Sequence, residues 1–416
     1  YEYWLAKINK IIIQTSMANN FDSSLFEKED KGHACALFEQ IETLFGVDSN
    51  HFFKHVLNER LAQISEQDSS LRYKNIATKL QSPYYFVNVN YPLKDEPQQW
   101  HDFEQRALNL FDNWAQAWCA FNIWKIKSKY QNQPRSLELD SLPKFTQNEE
   151  DFVDSVIDNI ENHAELYYTL HSRYAMELPD AVMLINLATF VSEQQWFEML
   201  YEIEVSAHGS HFILAQLVPD LSFPVIVSTA KVNHHKDADN WLYFSPFFQT
   251  SCWTLLNQVE MQRQLVNLDL LCSDIEISDT SSAKFENALW QNITVKEKCC
   301  EIVRLTVSGN QSQKIFSLYL SQKRLMAQLE KLCFQVAFVV IEQPLMIQYY
   351  QSLTNGAYLK MSYCHVSDSG FATYKGLWFI KPLSQALSEC SYRNYKVSTI
   401  TQLKQHRHQG QELQYA

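Results

Sequence analysis

Up to about residue 130, apolar side chains recur at helical steps. Leu5, Ile8, Ile11 and Ile12 share one face. Cys35, Leu37, Ile41, Leu44 and Phe45 follow the same rhythm, as do Phe52, Val56, Leu57 and Leu61. Pro83, Pro92 and Pro97 interrupt the pattern. Beyond them Trp100, Phe103, Ala107, Phe111, Trp114, Trp118 and Phe121 repeat in a heptad-like way, which predicts one long helix from Trp100 to Tyr130 with an aromatic seam. The stretch 131–150 is polar and carries Pro134 and Pro143. It reads as a linker, leaving a helical domain over 1–130, a second domain over 151–400 and a polar tail over 401–416.

In the second domain the pattern changes. Phe152, Val156, Ile160, Ala164, Tyr167, Leu170 and Tyr174 predict a helix over 151–176, and a second is expected over 181–200. His211–Leu217 and Pro224–Val232 read as strands, and Leu255–Leu271 as a helix. Cys300–Val307 reads as a strand, Gln313–Leu332 as a helix, and Phe334–Ile341 (FQVAFVVI) as a buried central strand, because it is apolar without alternation. A short helix over Pro344–Leu353 and two strands, Tyr358–His365 and Thr373–Ile380, follow. The expected class is α/β (α+β), a mixed sheet preceded by a helical domain.

Composition narrows the chemistry. Eight glycines in 416 residues leave neither a dinucleotide fingerprint nor a phosphate loop. A net charge of −12 argues against nucleic acid as the partner of the whole chain. The nine cysteines form no CxxC and read as reduced core thiols. With no signal peptide pattern and no long apolar run, the expected location is the cytoplasm. His51 and His55 stand four apart but lack a third ligand, so no metal is expected.

The stretch of most interest is Cys299–Pro344. A regular strand sends Glu301 and Arg304 to opposite faces, whereas a bulge between them would turn both to one side. An acid and a cation at the end of an apolar strand suit a small charged ligand; an edge-strand salt bridge is the plainer reading.

The segment CEIVRLTVSG, its helix and the strand AFVVIEQPLM resemble the acyl-homoserine-lactone synthases, and most closely the LuxM/AinS type of marine vibrios. Glu301-Ile-Val-Arg304 matches the Glu and Arg of the Trp-Glu-x-x-Arg stretch on the fourth strand of the common family of these synthases. The resemblance implies an N-acetyltransferase-like fold. It implies S-adenosylmethionine as amine donor, no further cofactor, and an acyl thioester of acyl carrier protein or coenzyme A. The products would be an N-acyl-homoserine lactone and methylthioadenosine. Glu301 and Arg304 are then the catalytic candidates. Arg173, Trp196, Glu202, Glu204 and Lys231 follow in the order of the family's substrate-binding residues; Lys231 stands where the family has an arginine. Arg173 could equally pair with Glu177 along a helix, and Trp196 could equally be core. Phe334 and Phe338, with Met346, would line the acyl chain. Lys314, Lys323, Arg324 and Lys331 on the following helix would meet an acidic carrier protein, or form an ordinary solvated face. Two other readings stay open: an N-acyltransferase acting on another amine, and a non-catalytic interaction protein.

Overall fold

A computed structural model describes residues 28–72, 74–131, 145–203, 205, 207–342, 344–353, 356–365 and 372–401. Glu204, the stretch 132–144 and the tail beyond 401 lie outside the described residues.

Among the described residues the helical region holds six helices: Lys28–Phe45, Ser49–Gln67, Ile76–Leu80, Pro83–Asn88, Gln98–Leu108 and Trp114–Gln131. The single helix expected over 100–130 is therefore two. The chain breaks at Asn109–Asn113, where the Asn113 side chain accepts from the Gln116 amide at 3.0 Å and caps a new helix. The aromatic seam survives the break. Trp114 is fully buried against Phe52 and Phe53, and its indole N–H donates to the Phe53 carbonyl at 2.9 Å.

Among the described residues ten strands form one mixed sheet. They are β1 (Phe152–Ile157), β2 (Leu166–Thr169), β3 (Ser172–Glu177), β4 (Ser210–Gln216), β5 (Val225–His234), β6 (Thr254–Leu255), β7 (Cys299–Val307), β8 (Val336–Ile341), β9 (Tyr358–Cys364) and β10 (Thr373–Phe379). The order across the sheet is β1-β4-β5-β7-β8-β10-β9-β6, and β2 joins β3 to the start of β5. Pairing is antiparallel except β2 with β5 and β7 with β8. The helix Gln311–Lys331 makes the crossover between β7 and β8. It packs on one face through Phe316, Leu320, Leu325 and Leu329. The other face carries two apolar clusters, one shared with the helical region and one under β8 and β10.

The helix expected over 151–176 is instead three strands. Phe152, Val156 and Ile160 are four apart, and four is also twice two, so their spacing fits a strand as well as a helix. The second expected helix begins at Leu178 and continues as a π-helical turn, Leu187–Glu193. Three helices that the apolar pattern does not announce are Ser282–Asn292, Ile380–Glu389 and Tyr392–Lys396. Cys252 and Cys364 form a disulfide, contrary to the expectation of nine reduced thiols. Pairing of β6 with β9 places Thr254 opposite Tyr363 and so brings the two cysteines together. Among the described residues no helix is long and apolar enough to cross a membrane.

Candidate active site

Alternation along β7 sends Cys300 and Ile302 towards the Gln311–Lys331 helix and Glu301 to the opposite face. Glu301 is fully buried there. One carboxylate oxygen accepts from the Tyr243 amide at 2.6 Å. The other accepts from the Leu242 amide at 3.2 Å and the Asn233 carboxamide at 2.7 Å. Asn233 stands directly opposite on β5. Burial pushes the carboxyl up to about 7; the three donors and the Arg304 charge oppose that rise.

The register between β5 and β7 slips at the residue that matters. Thr306 faces Thr229 and Val303 faces Lys231, so Arg304 and Leu305 together oppose Ala230. Arg304 takes a left-handed conformation, φ 58°. This is a β-bulge with a non-glycine residue in the strained position. The Arg304 charge acts on both Glu301 and His211. His211 lies on β4, directly opposite Lys231 of β5. Strand alternation puts His211, Lys231, Asn233 and Glu301 on one face, spread over three neighbouring strands.

A second buried acid lies beside this row. Glu286 accepts from the Lys375 ammonium at 2.6 Å, with both side chains fully buried. The Lys375 ammonium also sits 4.8 Å from the Tyr243 ring and 4.9 Å from the Trp253 ring. Burial lowers the Lys375 pKa, and the Glu286 and Glu301 charges counter this. Gln249 bridges the pair to the Glu301 cradle: its amide donates to the Tyr243 carbonyl and to Glu286, each at 3.1 Å. The segment whose amides hold Glu301 is thus fastened from behind.

The remaining candidates are dispersed. Trp196 is half-buried, meets Phe190 edge-on at 5.8 Å, and packs against both the helical-region cluster and the one around Phe248 and Trp253. Arg173 is exposed on β3. On a strand it lies roughly 13 Å along from Glu177, too far for the helical pair considered above; Glu177 binds Lys129 at 3.1 Å instead. Glu202 is exposed, and the charges acting on it are Lys79 and Lys54 of the helical region.

Phe334 and Phe338 do not share a pocket. Phe334 precedes β8 and joins the cluster under the Gln311–Lys331 helix, with the His234 ring 5.5 Å away. Phe338 points to the other face, 5.4 Å from Trp241 and 5.2 Å from Tyr243. The four-residue spacing misleads because Phe334 lies outside the strand, where alternation does not hold.

The basic helix is largely paired within the chain. Lys323 binds Glu149 at 2.9 Å, Arg324 binds Asp154 at 3.5 Å, and Lys314 binds Glu193. Lys331 is exposed. Among the described residues no group of three or more His, Cys, Asp or Glu could hold a metal.

Residues 13–408 match the family described as acyl homoserine lactone synthase. The chain belongs to that family. It is 32% identical over 320 residues to the acyl-homoserine-lactone synthase OpaM of Vibrio parahaemolyticus, covering 75% of this chain and 80% of the relative. To LuxM of Vibrio harveyi it is 30% identical over 293 residues, 70% of this chain and 73% of the relative. LuxM of Vibrio atlanticus matches to the same extent. No solved structure matches. As a member of this family the chain is an acyltransferase that makes a quorum-sensing autoinducer. His211, Asn233, Lys375 and Glu286 were not candidates on the sequence. The signal for His211 is a polar side chain beside the apolar run FILA; Asn233, Lys375 and Glu286 have none.

Proposed function

We propose that this synthase joins an acyl group from an acyl carrier protein or coenzyme A thioester to S-adenosylmethionine and releases an N-acyl-homoserine lactone and methylthioadenosine. The observation that carries the reading is the row of Glu301, Asn233 and Lys231 on one sheet face, with the charge of the bulged Arg304 acting on Glu301, in a chain belonging to this family. The donor's α-amine loses a proton and attacks the thioester carbonyl; the thiol leaves and an amide forms. The donor's carboxylate oxygen then attacks the carbon next to the sulfonium, closing the lactone and expelling the thioether.

Arg304 and Lys231 supply the charge that fixes the carboxylate for this second step. Orientation of that kind is worth roughly 7–11 kcal/mol in well-placed intramolecular reactions. Glu301, held at about 7, is matched to accepting a proton near neutral pH. Its lone-pair site not taken by Asn233, Leu242 or Tyr243 is the one that takes it, directly or through a water. Trp196 spans two apolar clusters and offers a ring to the adenine or the sulfonium.

Incubating the chain with S-adenosylmethionine and a panel of acyl thioesters, on carrier protein and on coenzyme A, should release methylthioadenosine together with the lactone. No release with any thioester of either kind would refute the reading.

A further inference from the structure

His211 is 1% exposed. Its Nδ1 lies 3.3 Å from the Gly209 carbonyl oxygen. A carbonyl oxygen only accepts, so Nδ1 carries the ring hydrogen and Nε2 carries the lone pair. Gly209, at φ 84°, is the residue that turns this carbonyl back onto the ring. Nε2 is buried and has no hydrogen-bond partner among the described residues. A buried acceptor that meets no donor from its own chain is uncommon in a folded protein, and such a position suits a donor from outside the chain.

The surroundings say what that donor belongs to. Lys231 faces His211 from β5, the Arg304 charge acts on it from the bulge of β7, and His208 stands in its own turn. Burial first, then the Arg304 and Lys231 charges, push the imidazole down to about 3, so near neutral pH Nε2 remains an acceptor. An acceptor flanked by two cations suits a ligand that carries an anion and an N–H donor on neighbouring atoms. A phosphate or a simple fatty carboxylate supplies the anion and leaves Nε2 unpartnered. An α-amino acid head group supplies both.

We propose that His211 is a substrate-contacting residue whose Nε2 accepts a hydrogen bond from the α-amino group of S-adenosylmethionine, while Lys231 and Arg304 take its α-carboxylate. This rests on the donor assigned above and adds to it the residue that selects an amino acid over other anions.

The test is calorimetric binding of S-adenosylmethionine, and of its analogue lacking the α-amino group, to the full chain and to two variants. His211→Leu should weaken S-adenosylmethionine binding by about tenfold or more. His211→Gln, which offers a carboxamide oxygen as acceptor, should restore most of it. The wild type should lose affinity for the deaminated analogue by a similar factor, and His211→Leu should no longer tell the two ligands apart. If the wild type binds S-adenosylmethionine and His211→Leu still discriminates between the ligands, the His211 assignment falls alone. If the wild type binds no S-adenosylmethionine, the donor assignment falls and this inference with it. Should His211→Leu fail to fold, the nitrogen resonances of labelled histidine in the wild type decide. Nε2 should shift with S-adenosylmethionine and not with the deaminated analogue; an unmoved resonance overturns the proposal.

Discussion

The buried cation of the helical region and the buried polar groups of the sheet face differ in how completely they are satisfied. Arg60 is fully buried and every N–H of its guanidinium is used. It binds Glu104 through Nε and Nη2, the latter at 2.6 Å, and donates to Gln63, the Asn88 carbonyl and the Tyr91 carbonyl. On the sheet face His211 keeps a nitrogen without a partner among the described residues, Arg304 sits in a strained backbone conformation, and Glu301 is held far above its ordinary pKa. The first arrangement is a joint that holds three chain segments together. The second leaves the His211 nitrogen unmet by the described residues, beside a perturbed carboxyl, on the face proposed as the active site.

That contrast predicts its largest effect in the joint. Arg60→Met leaves Glu104 as a buried, uncompensated carboxylate and should destabilise the protein by about 3–5 kcal/mol. Denaturant unfolding checks it, and a loss under about 1 kcal/mol would mean the joint is not a structural centre. Replacing both partners by apolar residues of similar volume should recover much of the loss, because no unpaired charge remains.

The next effect concerns Glu301 and pH. Below the ordinary value of 4.5 both the folded and the unfolded chain hold this proton. Between 4.5 and about 7 only the folded chain holds it, so raising pH across that window favours unfolding. Above about 7 neither form holds it and the loss levels off. The span corresponds to roughly 3 kcal/mol. Glu301→Gln cannot ionise and should flatten that slope in a series of unfolding curves taken from pH 4 to 8. Turnover should fall by about a hundredfold or more, with the fold kept. Full activity in this variant would remove Glu301 from the chemistry and leave it as the peg that holds Leu242 and Tyr243.

Part of this is readable in the sequence, and the reason varies with the element. The unit of β7, its helix and β8 is legible because each pattern is long and its period unambiguous, although the helix starts two residues earlier than expected, at Gln311 behind the Asn310 cap. Glu301 and Arg304 are legible as an odd acid and cation in an apolar strand. Residues 152–177 are not, because their spacing serves two periods. His211 is one of two polar residues in HFILAQL, and the environment of its ring exists only once Gly209 folds back on it. The Lys375–Glu286 pair joins residues 89 apart in sequence, which no local pattern announces. The basic helix illustrates the reverse error: its charges are visible in the sequence, and their partners Glu149, Asp154 and Glu193 are not.

Arg304 separates strain from charge. Arg304→Gly relieves the left-handed backbone and should leave stability unchanged or raise it by up to about 1 kcal/mol. The same change removes the cation, so the KM for S-adenosylmethionine should rise by about tenfold or more. A variant that is both less stable and fully active would reverse the roles assigned here, making Arg304 structural and its strain incidental.

The smallest effects belong to the helix after β7. Lys323 and Glu149 form a partly exposed pair, so Lys323→Ala should cost within about 1 kcal/mol. Its charge is already balanced by Glu149, so the dependence of turnover on acyl carrier protein concentration should barely move. Lys331 is exposed at the far end of the same helix. Lys331→Glu should weaken turnover from the carrier-protein thioester, and more so at low salt than at high. Turnover from the coenzyme A thioester serves as the internal control, because a defect in the fold would lower both donors together. If Lys323→Ala impairs the carrier-protein reaction and Lys331→Glu does not, the pairing with Glu149 opens on docking, and the paired residue rather than the exposed one meets the carrier.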